Sequence, residues 1–308
     1  MVEMEFNLEE IYIQSIMTKI ATVIVEGVDD VPVYDAICNK LIKKYDVIAV
    51  ENIDDFSEGS AGVIGAMDKI LEIPSSQHLP KNYILGIIDK DVRDYRAEVP
   101  DNDLVFMLNQ YSMESHFVSE EAVSGITNRS IKATSNLKGE ELNQFIFNKI
   151  KESIDELYFY SLEALKGATD SNYDSVFTYS YKYGRMNDPT IREQIELKKT
   201  SLTQYGDSIG LVQCIDSLKK VAKGKWLLSF FCEQLEIVFQ NLPEDCGNSN
   251  IEKCQFCLNE AINKCQYKLK EGISKVTIKG FALEEVGLSE LDYVRDRLDS
   301  MLPSNLVA

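Results

Sequence analysis

The sequence predicts an α/β fold over residues 15–120 and a mainly helical region over residues 121–308. Two observations carry this reading. Short β-branched apolar runs alternate with segments of 3.6-residue periodicity through the first third, and from about Val118 onward the helical period takes over. Alternation at this spacing implies βαβ units and therefore a parallel sheet with right-handed crossovers.

The run Ala21-Thr-Val-Ile-Val-Glu26-Gly27 is a buried strand ended by a turn. Tyr34, Ile37, Cys38 and Leu41 then recur at i, i+3, i+4 and i+7, which predicts a helix to about Lys44 with Asp29 or Asp30 as its cap. A second strand is expected at 47–50. After the acidic loop at 51–58, the spacing of Val63, Met67, Ile70 and Leu71 predicts a helix over 59–73. The segment YILGIIDKD at 83–91 reads as the third strand and 104–108 as the fourth. In such sheets functional groups gather beyond the carboxyl ends of the strands. Glu26 stands at the end of the first strand, and Asp89 and Asp91 stand at the end of the third.

In the second region, Leu142, Phe145, Ile146, Ile150, Ile154, Leu157, Leu162 and Leu165 trace one long helical stripe. Residues 211–221 and 226–239 predict further buried helices. Between the stripe and residue 211, Phe177, Tyr179, Tyr181 and Tyr183 alternate at period two, the pattern of a half-buried strand or a dimer edge, and this aromatic stretch with Lys182 and Arg185 also suits stacking on unpaired RNA bases and contact with phosphate.

The 32 basic and 50 acidic side chains give a net charge of −18, which argues against a general nucleic-acid coat. The first ten residues hold four glutamates and no lysine or arginine, unlike a secretory leader. No apolar stretch approaches the roughly 20 residues needed to span a bilayer. Seven cysteines, with Cys38, Cys214 and Cys232 inside apolar runs, fit a reducing compartment, so a cytoplasmic protein with no membrane partner is expected.

The chemistry concentrates in Glu26, Asp30, Asp89 and Asp91. In an extended strand end, Asp89 and Asp91 project to one side. Two carboxylates so close repel unless a cation lies between them or one keeps its proton. Mg²⁺ or Mn²⁺, hard ions that retain waters, match a few carboxylates open to a phosphate, with Glu26 as general acid/base or further ligand. The alternative is a set of solvated loop acids.

Val25-Glu26-Gly27-Val28-Asp29-Asp30 followed by Gly86-Ile87-Ile88-Asp89-Lys90-Asp91 resembles the Toprim signature, a Glu-Gly motif after the first strand and a DxD after the third. Tyr111-Ser-Met-Glu114-Ser-His116 and Lys223-Gly-Lys225-Trp226-Leu-Leu resemble the DUF4435 branch, within which the nuclease effectors of PARIS-type anti-phage systems are the nearest likeness. The resemblance implies a metal-dependent ribonuclease with Glu26 catalytic, Asp89 and Asp91 as metal ligands, Asp30 supporting the site and Glu114 as an extra ligand. It also implies a homodimer, an ABC-type ATPase partner that restrains it, and transfer RNA as substrate. Where many Toprim motifs continue to a nearby glycine, this chain has Val92-Arg93-Asp94.

Other readings stay open. A DNA nuclease of the OLD type keeps the same site, and a receiver-type signalling module would bind Mg²⁺ at Asp29 and Asp30 and be phosphorylated on Asp89. A degenerate scaffold would only bind partners. Cys246, Cys254, Cys257 and Cys265, spaced C-x₇-C-x₂-C-x₇-C, are either a zinc site or buried thiols, the last three on one face of an expected helix with Ala261. His116 follows the fourth strand and is a candidate assistant to the site, whereas His78 lies in the proline-bounded loop at 74–80. Lys219, Lys220, Lys223 and Lys225 form the densest basic cluster, suited to phosphate or to a solvated helix face. No GxxxxGK[ST] loop is present, so ATP hydrolysis is not expected.

Overall fold

The computed structural model describes residues 6–74 and 78–302. Glu3 and Glu5 of the acidic N-terminus lie outside them. In chain order the elements are α1 (Leu8–Thr18), β1 (Ala21–Val25), α2 (Val31–Cys38), β2 (Tyr45–Ala49), α3 (Ser60–Glu72), β3 (Ile84–Ile88), α4 (Arg93–Arg96) and β4 (Val105–Met107). Then follow α5 (Glu120–Ser130), α6 (Glu140–Glu152), α7 (Asp155–Thr169), α8 (Pro189–Ser208), α9 (Ile215–Val221), α10 (Gly224–Gly247), α11 (Gln255–Leu258), α12 (Lys275–Leu283) and α13 (Asp292–Asp299). No helix among the described residues is long and apolar enough to cross a membrane.

Packing divides the chain differently from the 15–120 and 121–308 reading. One unit is Met1–Asn109 with Val286–Ala308, and the other is Gln110–Glu285. The last described residues rejoin the sheet unit because they serve its second strand: Tyr45 Oη donates to Leu298 O at 2.9 Å and Lys43 Nζ to Met301 O at 2.7 Å.

The sheet is parallel, in the order β2-β1-β3-β4, with Val23 opposite Val47 on one side and Leu85 on the other. Every residue of β1 and β3 is buried, which is why both read as continuous apolar runs rather than alternating ones. Each fully buried Val or Ile there contributes roughly 1.5–3 kcal/mol. Helix α3 lies so close to β3 that a β-carbon on Gly86 would stand 2.6 Å from Val63 Cγ1 and 2.8 Å from Met67 Cγ. A larger residue would push the helix off the sheet.

The expected strands lie within a few residues of the observed ones, and the helix over 59–73 is α3. The helix expected to reach Lys44 ends at Cys38 instead. Asn39 N closes on Asp35 O at 2.9 Å, and the chain turns to enter β2.

In the helical unit α10 packs against α12 and α6, and α7 against α8 and α9. The single stripe expected over 142–165 is two helices, α6 and α7, broken at Ser153 and Ile154. The helix expected over 211–221 begins only at Ile215, and the one expected over 226–239 extends from Gly224 to Gly247, continuing through Pro243. The tyrosine-rich segment is no strand. Its carbonyls are satisfied by side chains: Lys223 Nζ donates to Tyr179 O at 2.8 Å and Trp226 Nε1 to Tyr181 O at 2.9 Å. Phe177 and Tyr179 turn inward onto Trp226, with centroids 5.0 and 5.5 Å away, while Tyr181 stays exposed. Glu163, fully buried in α7, accepts from Tyr173 Oη at 2.6 Å, Val176 N at 2.8 Å and Lys198 Nζ at 2.8 Å.

Candidate active site

Strand β1 delivers Glu26 immediately beyond its carboxyl end, half-buried. Its main-chain carbonyl accepts from Gly59 N at 2.8 Å, at the start of α3. Its side-chain Oε1 accepts from the Asp89 amide at 2.7 Å. The glutamate is thus fixed at both ends by neighbouring elements, and the Glu-Gly and DxD segments meet directly.

Asp89 follows β3. The expectation that Asp89 and Asp91 share one side of an extended strand is overturned, because β3 ends at Ile88 and Asp91 takes a left-handed φ of 50°. Aspartate tolerates this region better than most residues. The turn, not the strand pleat, leaves Asp91 near enough to act on Glu26. Asp30 occupies the N-cap position of α2 but makes no side-chain capping bond. The loop between Glu26 and α2 is held by Glu51, whose Oε1 accepts from Val28 N at 2.9 Å.

The charges of this group show in Glu26. Burial raises its pKa first, and the negative charges of Asp91 and Asp30 raise it further. The Asp89 amide and the Arg93 guanidinium pull the other way, and the balance lies at about 7. A carboxyl group poised there can give or take a proton at neutral pH.

Two contributors carried no signal in the sequence. Tyr34, on the buried face of α2, has its pKa pushed well up by burial and by the charges of Asp89 and Asp30, so its hydroxyl stays protonated beside them. Arg93, at the start of α4, donates through Nη2 to Ser60 Oγ at 2.5 Å, while its Nε is buried without a hydrogen-bond partner. It supplies positive charge that acts on Glu26.

Glu26, Asp30, Asp89 and Asp91 all belong to the sheet unit. Among the described residues they do not close into a compact ligand set, which only the four cysteines form.

The remaining candidates belong to the helical unit. Glu114 accepts from Ser112 Oγ at 2.5 Å beside the N-terminus of α10. His116 is fully buried with Nδ1 3.1 Å from Met113 O, and burial lowers its pKa to about 4. It is a neutral core residue, and its role as an assistant in catalysis is withdrawn. Lys219 is only 4% exposed and Lys223 is tied to Tyr179, so neither the phosphate-binding patch nor the solvated face extends over all four lysines. Lys220, Lys225, Lys182 and Arg185 are exposed, with Arg185 paired to Asp188 at 2.9 Å.

The expected single helix carrying three cysteines is replaced by α11 and a short turn, Ile262–Lys264. Cys246, Cys254, Cys257 and Cys265 nonetheless converge, all buried, with their sulfurs within 4.8 Å of one another.

The fold and this rim define an α/β protein with acidic groups at the carboxyl edge of a Rossmann-like parallel sheet. No protein-family model matches the chain, and no curated protein matches it.

Proposed function

We propose that the protein is a Mg²⁺- or Mn²⁺-dependent Toprim-type endoribonuclease. The observation that carries this reading is the bond from the Asp89 amide to Glu26, which joins the two carboxylate-bearing segments at the carboxyl edge of the central strands. Asp89 and Asp91 would hold the metal with Asp30 in support, and the bound ion would supply charge stabilisation to a phosphodiester. Glu26 would then move a proton at the reacting oxygen, and Arg93 would offset negative charge as the phosphate enters. Three acids at one edge repel RNA in the absence of a cation, so binding depends on the metal.

Within this proposal the protein resembles the toxic effectors of PARIS-type anti-phage systems. It acts in the cytoplasm as a homodimer, an ABC-type ATPase restrains it, and release leads to cleavage of host tRNA and arrest of translation. The test compares RNA loss and growth arrest on expressing wild type and Glu26→Ala. Loss of both in a folded variant is expected, and equal toxicity overturns the proposal. Purified protein with Mg²⁺ and either plasmid or total tRNA separates this reading from an OLD-type DNA nuclease, because only the tRNA should be cut. Sequencing the RNA ends reports the position.

A further inference from the structure

Cys246 lies in the last turn of α10, Cys254 immediately precedes α11, Cys257 lies within α11 and Cys265 follows the turn at Ile262–Lys264. Four separate backbone positions thus aim their thiols at one point. The sulfurs lie within 4.8 Å of one another, and the Cys254 and Cys265 sulfurs are 3.9 Å apart. A zinc ion bonded to four thiolates at about 2.3 Å sets the sulfurs about 3.8 Å apart at the corners of a tetrahedron. None of the four is in a disulfide.

Backbone donors also reach the sulfurs, while burial raises the thiols of Cys246 and Cys265. Cys254 N donates to Cys246 Sγ at 3.3 Å. The backbone N–H groups of Gln266, Cys257 and Phe256 bond to the Cys254 sulfur, and that of Tyr267 to the Cys265 sulfur. Amide donors turned onto sulfur offset the negative charge that four thiolates around one dication retain.

The segment itself needs a staple. Between the end of α10 and the start of α12 the regular elements are only α11 and short turns, and Leu258 and Ile262 are 66% and 48% exposed. The buried Tyr267 and the bridge of Leu269 to Ile131 anchor its far end, and before them the cysteines are the buried residues that fix its path, as in small metal-bound modules.

We propose that Cys246, Cys254, Cys257 and Cys265 hold a structural zinc ion, separate from the carboxylate rim. Binding replaces the thiol S–H bonds with S–Zn bonds, and the protons leave to solvent. An iron–sulfur cluster fits less well, since it spreads its thiolates over more than one metal centre and sets some sulfurs farther apart than this group allows.

The experiment is elemental analysis of the full chain purified without added metal. It should contain about one zinc per chain, and Cys257→Ser or Cys265→Ser should lower this to below about 0.1, while Cys214→Ser retains it. Should the serine variants fail to fold, the wild type still decides. Zinc stripped by a chelator and replaced with Co²⁺ gives the intense absorption of tetrahedral thiolate cobalt if the site is right. A folded wild type that carries no zinc and gives no such absorption overturns the proposal, as does equimolar iron in zinc's place. Neither readout depends on nuclease activity.

Discussion

Gly224, the first residue of α10, stands so close to Ser112 that a β-carbon on it would lie 1.8 Å from Ser112 Oγ and 2.7 Å from Glu114 Oε2. The two short segments beyond the sheet that drew attention in the sequence, YSMESH and KGKWLL, are therefore packed against each other. Tyr111 N donates to Lys219 O at 2.7 Å, and the Tyr111 ring lies 5.2 Å from Tyr179, which stacks on Trp226. Their shared task in the structure is to seat the start of the longest helix.

Replacing Gly224 by Ala should therefore destabilise the chain by about 1–3 kcal/mol, the usual range for an overpacked site. Thermal or urea denaturation measures it. Adding Ser112→Ala removes the closest atom, so the double variant should be more stable than the two single losses added together. Strict additivity would show that the contact is not what constrains position 224.

Glu26→Gln keeps the oxygen that accepts from the Asp89 amide and removes the titrating proton. The variant should fold as the wild type does and, if the proposed ribonuclease activity holds, lose about 10²–10⁴-fold in RNA cleavage rate. Single-turnover cleavage with Mg²⁺ in excess measures the loss, and circular dichroism checks the fold.

His116 provides a pH signature. The unfolded chain binds its proton below the ordinary value of 6.5, whereas the buried ring resists protonation until about 4. The sign follows: its contribution is full above 6.5 and is lost as pH falls toward 4, to a total of about 3 kcal/mol. Urea midpoints measured from about pH 7 down to about pH 4.5 should fall, and His116→Gln should flatten that part of the decline.

Glu163 is buried with three donors, one of them Lys198. Lys198→Met leaves the carboxylate without its counter-charge and should cost about 3–5 kcal/mol, measured by denaturant unfolding. Changing Lys198→Met and Glu163→Gln together should recover part of that loss.

The sheet was legible because its central strands are buried on both faces, so runs such as Ala21–Val25 stand out against polar turns. The meeting of Glu26 with Asp89 was legible at the level of strand ends. The route by which Asp91 reaches that neighbourhood was not, since it depends on a left-handed residue that no periodicity announces. The tyrosine-rich segment misled for a related reason: period two reports alternation of side chains, while a strand also needs partners for its backbone, and here Lys223 and Trp226 provide them. Apolar spacing could not reveal the break between α6 and α7, because Ile154 is buried at the junction as a helical residue would be. The cysteine spacing held the right residues and the wrong local shape.

Helix α10 runs unbroken for 24 residues, about 36 Å, from the glycine seated on Ser112 to the turn that carries Cys246. No loop interrupts it to absorb a change in length. One residue inserted midway would rotate everything beyond it by about 100° and turn Cys246 away from its three partners. Natural relatives of this chain should therefore vary in amino acids along α10 while keeping its residue count, and any change in that count should be accompanied by loss of the cysteines.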